Sequence, residues 1–110
     1  MSPTITWSGT SGKKYDTELC QFDKPFYANP GVYIFCKPAA NNTWAQIYIG
    51  ETDDFNDHLN TNLKNHRQWS CIIRNGATNV CVIVVTGGKA ARLTVETDLQ
   101  TALDPPCNRQ

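Results

Sequence analysis

The sequence predicts a small α/β (α+β) protein: a central three-stranded antiparallel sheet flanked by helices, preceded by an N-terminal accessory hairpin. Three observations predict it. Two short segments, Gly31–Cys36 and Ala45–Ile49, alternate side chains with the period of a strand across a brief polar connection. A third segment, Val80–Val85, is apolar throughout and almost entirely β-branched. Between and after these segments, apolar residues recur every three or four positions, as on one face of a helix. The chain of 110 residues is one domain, with residues 1–30 as a hairpin-and-loop extension of the core formed by residues 31–110.

The elements follow in order. Thr4-Ile5-Thr6-Trp7 has strand composition, Ser8 to Lys14 carries two glycines and reads as a turn, and Tyr15 to Leu19 returns as a second strand. Pro25 and Pro30 keep the next connection irregular. In Gly31–Cys36, Val32 and Ile34 share one face and Tyr33 and Phe35 the other. In the following strand, Ala45, Ile47 and Ile49 lie opposite Gln46 and Tyr48. A hairpin between these two strands brings Tyr33 and Tyr48 onto one face. Gly50-Glu51-Thr52-Asp53 breaks the strand, and Thr52 or Asp53 is placed to cap a helix running to about Asn65. Phe55, Leu59 and Leu63 form its buried stripe, with His58, Asn62 and His66 on another. Trp69 to Arg74 is a second short helix that ends at Asn75-Gly76. The Val80–Val85 run is covered on both faces at the centre of the sheet and stops at Gly87-Gly88. A last helix spans Lys89 to about Leu103, with Val95, Leu99, Ala102 and Leu103 inward and Arg92 and Glu96 beside them, and Pro105-Pro106 ends it.

Composition narrows the function classes. Ten basic residues balance ten acidic ones, so no global field draws the chain to nucleic acid, and phosphate binding would need a local cluster. No apolar run is long enough to span a membrane, and the N-terminus lacks a signal-peptide pattern. Five scattered cysteines without a CxxC read as buried thiols in a reducing cytoplasm rather than as a zinc site or a disulfide framework.

At Gly31-Val32-Tyr33 and Tyr48-Ile49-Gly50 the sequence resembles the GIY-YIG nuclease superfamily, whose name comes from two such tripeptides on adjacent strands. The likeness extends through Thr52, Phe55 and His58, then Glu96, and then Asn108 after Pro105-Pro106-Cys107. It covers about residues 31–108 and leaves the leading hairpin outside. The spacing from Glu96 to Asn108 is similar to that of the incision subunit of bacterial nucleotide excision repair.

The resemblance implies phosphodiester hydrolysis of DNA with one Mg²⁺ or Mn²⁺ ion. It assigns Tyr33 as general base for water, Tyr48 as a positioning phenol, Glu96 as metal ligand and Asn108 as a supporting contact to the substrate site. One carboxylate suits Mg²⁺, which keeps several waters. The amides opening the first helix could add phosphate binding. His58 stands where the family has an arginine, and Glu51 stands where lysine is frequent. Glu51 would repel phosphate unless it holds a metal or meets Arg92. His66 and Arg67, with Lys64 and Arg74, could rebuild a positive patch. Each feature also has a structural reading: tyrosines that pack, Arg92 and Glu96 as a helix ion pair, His58 as a surface residue, Asn108 as a turn residue, Trp69 as core. A catalytically silent module that binds nucleic acid or a protein is the alternative function. Zinc shared by His58 and His66 is excluded, because eight residues of helix separate them by about 12 Å, too far to share one ion.

Overall fold

The computed structural model describes residues 3–109. Among the described residues, five antiparallel strands form one sheet: β1 (Thr4–Ser8), β2 (Lys14–Gln21), β3 (Gly31–Pro38), β4 (Trp44–Thr52) and β5 (Asn79–Val84), in the order β1-β2-β5-β3-β4. The mixed α and β class agrees with the sequence reading, but the sheet has five strands, not three. β2 pairs with β5, from Glu18↔Val82 to Gln21↔Asn79, so the leading hairpin extends the sheet rather than standing apart from it. The apolar β5 therefore occupies the middle of five strands.

Two helices form close to the bounds that the sequence predicts: α1 (Trp69–Arg74) and α2 (Lys89–Leu103). Gly76, at φ 85°, and Asp104, at φ 47°, take the left-handed conformation just beyond them. Ala102 faces outward, while Leu99 is buried and Val95 and Leu103 pack beside it.

The helix expected from Thr52 to about Asn65 does not form. Strand β4 continues through Gly50 and Glu51 to Thr52, paired with Gly31–Tyr33. The chain then makes a π-helical turn, Asn56–Thr61, and a 3₁₀ turn, Leu63–Asn65. Asp54, not Thr52 or Asp53, caps the entry by accepting the Asp57 amide at 3.0 Å. Asn-rich sequence competes locally with a regular α-helix. Phe55 and Leu59 are still buried, so the apolar spacing anchored the segment without making it α-helical.

Each face of the sheet carries its own core. Val32, Ile34, Cys36, Ile49 and Cys81 pack with Leu99 of α2 and with Trp7 and Tyr15. Tyr33, Phe35, Ile47, Val80 and Val82 pack with Phe55, Leu59, Ile72 and Cys107 on the other. Ile47 and Ile49, expected to share a face, are separated by a bulge. Phe35 opposes Tyr48 and Cys36 opposes Gln46, which leaves Ile47 without a partner and reverses the alternation there.

Cys71 and Cys107 form a disulfide, against the expectation of five unbonded thiols, while Cys20, Cys36 and Cys81 are free and buried. The sequence separation of 36 hid the pairing, because only the fold brings α1 beside the C-terminal turn. No helix among the described residues is long and apolar enough to cross a membrane.

Candidate active site

Gly31 and Gly50 are needed on either side of Tyr33. A Cβ on Gly50 would overlap the Tyr33 hydroxyl and crowd Tyr48, and one on Gly31 would overlap the Ile83 carbonyl oxygen and the Phe55 ring. With both positions bare, Tyr33 lies flat against the strand pair, 2% exposed, its ring centroid 6.2 Å from that of Tyr48.

The irregular segment after β4 brings the two histidines together, contrary to the separation a single helix would impose. Their ring centroids are 5.1 Å apart. His58 Nε2 lies 2.8 Å and His66 Nε2 2.9 Å from the Tyr33 hydroxyl oxygen. His66 Nδ1 accepts the Gln68 backbone N–H at 3.0 Å. Neutral His66 therefore carries its proton on Nε2 and donates it to Tyr33. With the His58 proton on Nδ1, the Tyr33 O–H donates to His58 Nε2; the Tyr48 hydroxyl is the other acceptor beside it. A directed chain runs from His66 through Tyr33 to His58. The ring of His66 also meets Tyr48 edge-on at 4.9 Å between centroids.

Burial shapes the ionisation of these groups. It pushes the Tyr33 phenol far above its usual range, helped by Tyr48, Glu96 and Glu51. Tyr48 is raised by burial and by Glu96, with Arg67 opposing. His58 is lowered, mainly by burial. His66 is pushed down to about 4 by burial, then by His58 and Arg67. Both imidazoles are neutral at pH 7, so His58 is no fixed-charge substitute for arginine.

Glu96 reaches the site from α2 along the outer edge of β4. Its carboxylate accepts the Glu51 backbone N–H and is held above the usual carboxylate range by burial and by the Glu51 charge. Glu51 in turn pairs with Arg92, Oε1 to Nε at 2.7 Å, in a largely buried bridge. Arg92 thus crosses to β4 instead of pairing with Glu96 along the helix. Among the described residues, Glu96 belongs to none of the three ion pairs. Glu96, beside a Glu51 whose charge Arg92 already meets, is the carboxylate here that an oxygen-liganded dication would take. Three or more His, Cys, Asp or Glu side chains do not converge among the described residues. An ion held here would thus have one or two protein ligands and complete its shell with water.

Asn108 bonds to the backbone of β4 with both ends of its side-chain amide. Its side-chain oxygen accepts the Ile49 N–H at 2.8 Å and its amide donates to the Ile49 carbonyl at 2.9 Å, a carbonyl that Gln100 also reaches at 3.0 Å. Its role is to hold the β4 edge next to Gly50. Gln100 went unnoticed in the sequence, where one glutamine on a helix carries no signal.

A cleft of about 530 Å³ is lined by Lys64, His66, Arg67, Trp69, Ser70, Ile73 and Arg74. The four basic residues that sequence left unplaced thus share one surface. Trp69 stands edge-on to Phe22 and Phe35, part of the core as well as the wall of the cleft. The site is bipolar in that charges of both signs act on its tyrosines: Glu96 raises Tyr33 and Tyr48, Arg67 lowers Tyr48, and His66 belongs to both the basic cleft and the Tyr33–His58–His66 chain. Comparison with protein-family models, with curated proteins and with solved structures finds no match to this chain.

Proposed function

We propose that the chain is a divalent-metal-dependent nuclease of the GIY-YIG type that hydrolyses phosphodiester bonds in DNA. The bipolar site is the observation that carries this reading. Phosphodiester hydrolysis asks for a dication and a phosphate side by side with a proton acceptor between them, and Glu96, Arg67 and Tyr33 supply those surroundings. Mg²⁺ or Mn²⁺ at Glu96 would supply Lewis-acid stabilisation of the anionic phosphate.

The protein's own residues do the rest. Arg67 holds the phosphate. A water oxygen forms the new bond to phosphorus as the bond to the leaving oxygen breaks. The water proton passes to Tyr33 while the Tyr33 proton passes to His58 Nε2, and the leaving oxygen takes a proton from solvent. His66 donates to Tyr33 throughout and stabilises the developing phenolate. Tyr48 orients Tyr33, and Asn108 fixes the strand that carries Gly50. A cytoplasmic setting accords with a DNA substrate and three unbonded thiols; the Cys71–Cys107 bond argues against it.

The test is incubation with plasmid, single-stranded and branched DNA in Mg²⁺ or Mn²⁺. Cleavage by the native chain with none by Glu96→Ala supports the reading; equal residual cleavage by both rejects it. One observation favours the alternative of a catalytically silent nucleic-acid-binding module: Tyr33 is 2% exposed with its hydroxyl satisfied by two rings, as a structural tyrosine would be. His58→Arg separates the two. If it creates cleavage that the native chain lacks, the scaffold is competent and the native residue silences it.

A further inference from the structure

We infer that the cleft beside α1 is a binding track for single-stranded nucleic acid, which feeds a flexible strand toward Tyr33. The inference deepens the nuclease reading by naming the form of its substrate, and it rests on that reading only for the direction of the strand.

Charge is segregated along the sequence although the total is zero. Residues 58–95 contain no Asp or Glu, yet they hold Lys64, Arg67, Arg74, Lys89 and Arg92. Arg92 is spent on Glu51. Lys64, Arg67 and Arg74 line the cleft with His66, and no carboxylate lines it with them. None of those three cations is in an ion pair among the described residues. Three cations on one small concave surface, unopposed by acid, are the electrostatic footprint of a phosphate backbone.

The apolar component decides between one strand and two. On α1, Trp69 and Ile73 are four residues apart and share a face, and Ser70 and Arg74 repeat that spacing one position along. The helix therefore offers an apolar stripe beside a polar and cationic one. Ile73 is 46% exposed, which no packing requirement explains. A duplex hides its base faces and presents only phosphates at such a surface. A single strand exposes both, and its bases can lie over Trp69 and Ile73 while its phosphates meet Arg67, Ser70 and Arg74. His66 belongs to both cleft and proton chain, so a strand on the track has a phosphate next to Tyr33.

Fluorescence anisotropy with a labelled twenty-nucleotide thymidine oligomer, in EDTA so that no cleavage intervenes, tests this. The native chain should bind it with log Kd rising against log salt at a slope of about 2, as three phosphate contacts to a single strand require. Lys64→Ala/Arg74→Ala, two exposed positions outside the proton chain, should lower that slope to about 0.7 and weaken binding about tenfold or more at low salt. Ile73→Ala should weaken binding while leaving the slope unchanged. An unlabelled duplex of equal length should compete at least about tenfold less well. Equal competition by the duplex, a slope near zero, or full binding by the double variant would overturn the inference. Binding without any cleavage in Mg²⁺ would reject the nuclease reading and leave the track intact. Efficient cleavage by the double variant would do the reverse.

Discussion

Tyr33 has one hydroxyl proton and two imidazoles within hydrogen-bonding distance of it, and the Gln68 amide decides which of them receives it. Because His66 Nδ1 is already an acceptor, His66 must donate, and His58 accepts in the tautomer that carries its proton on Nδ1. Tyr33→Phe removes the middle of this chain. It should lower DNA cleavage by about 10²–10⁴-fold in a single-turnover assay while the circular dichroism spectrum stays native. A pH dependence follows from His66. Its folded pKa, about 4, lies below the usual 6.5, so between those values the unfolded chain binds more protons than the folded one. Stability is therefore full above about pH 6.5 and declines as the pH falls toward 4. Urea midpoints measured across that window should drop with acid, and His66→Gln should flatten the slope. Gly50→Ala sets a methyl group against the Tyr33 hydroxyl. It should cost about 1–3 kcal/mol by urea denaturation, with cleavage reduced as well.

At the scale of the elements, the outer edge of β4 does most to position the site. Ile49 is held by Asn108 and Gln100, and Glu51 by Glu96 through its amide and by Arg92 through its carboxylate. The Cys71–Cys107 bond ties the turn carrying Asn108 to α1, and the Asn75 amide lies 3.4 Å from both sulfurs. Cys107→Ser should lower stability by about 3–4 kcal/mol in the chain-entropy view of a loop with sequence separation 36, read from urea midpoints without reductant. The strands, α1 and α2 were legible because apolar periodicity and Gly or Pro stops act locally. The segment after β4 was not, because Asn56, Asn60, Asn62 and Asn65 offer side-chain hydrogen bonds that compete with the α-helical ladder, and periodicity does not register that competition. The same irregularity brings the histidines together. The tyrosine pair and the nearby Glu96 could be anticipated from the two tripeptides. Arg92 reaching Glu51 was one of two pairings open to it, and only the packing of α2 along β4 selects between them.

Across the whole molecule, zero net charge conceals a division. Glu51, Asp53 and Asp57 act on His58 and Glu51 acts on Glu96, whereas Lys64, Arg67 and Arg74 share the cleft with His66. The proposed function requires a dication held at Glu96 within reach of Tyr33. Both histidines of the chain belong to this site, so their ring resonances report on it without interference. Mn²⁺ titration followed by proton NMR is the most direct test. Selective paramagnetic broadening of both histidine rings at substoichiometric Mn²⁺, lost in Glu96→Ala, is the predicted result. Broadening that spares the histidines, or that persists unchanged in Glu96→Ala, would contradict the account.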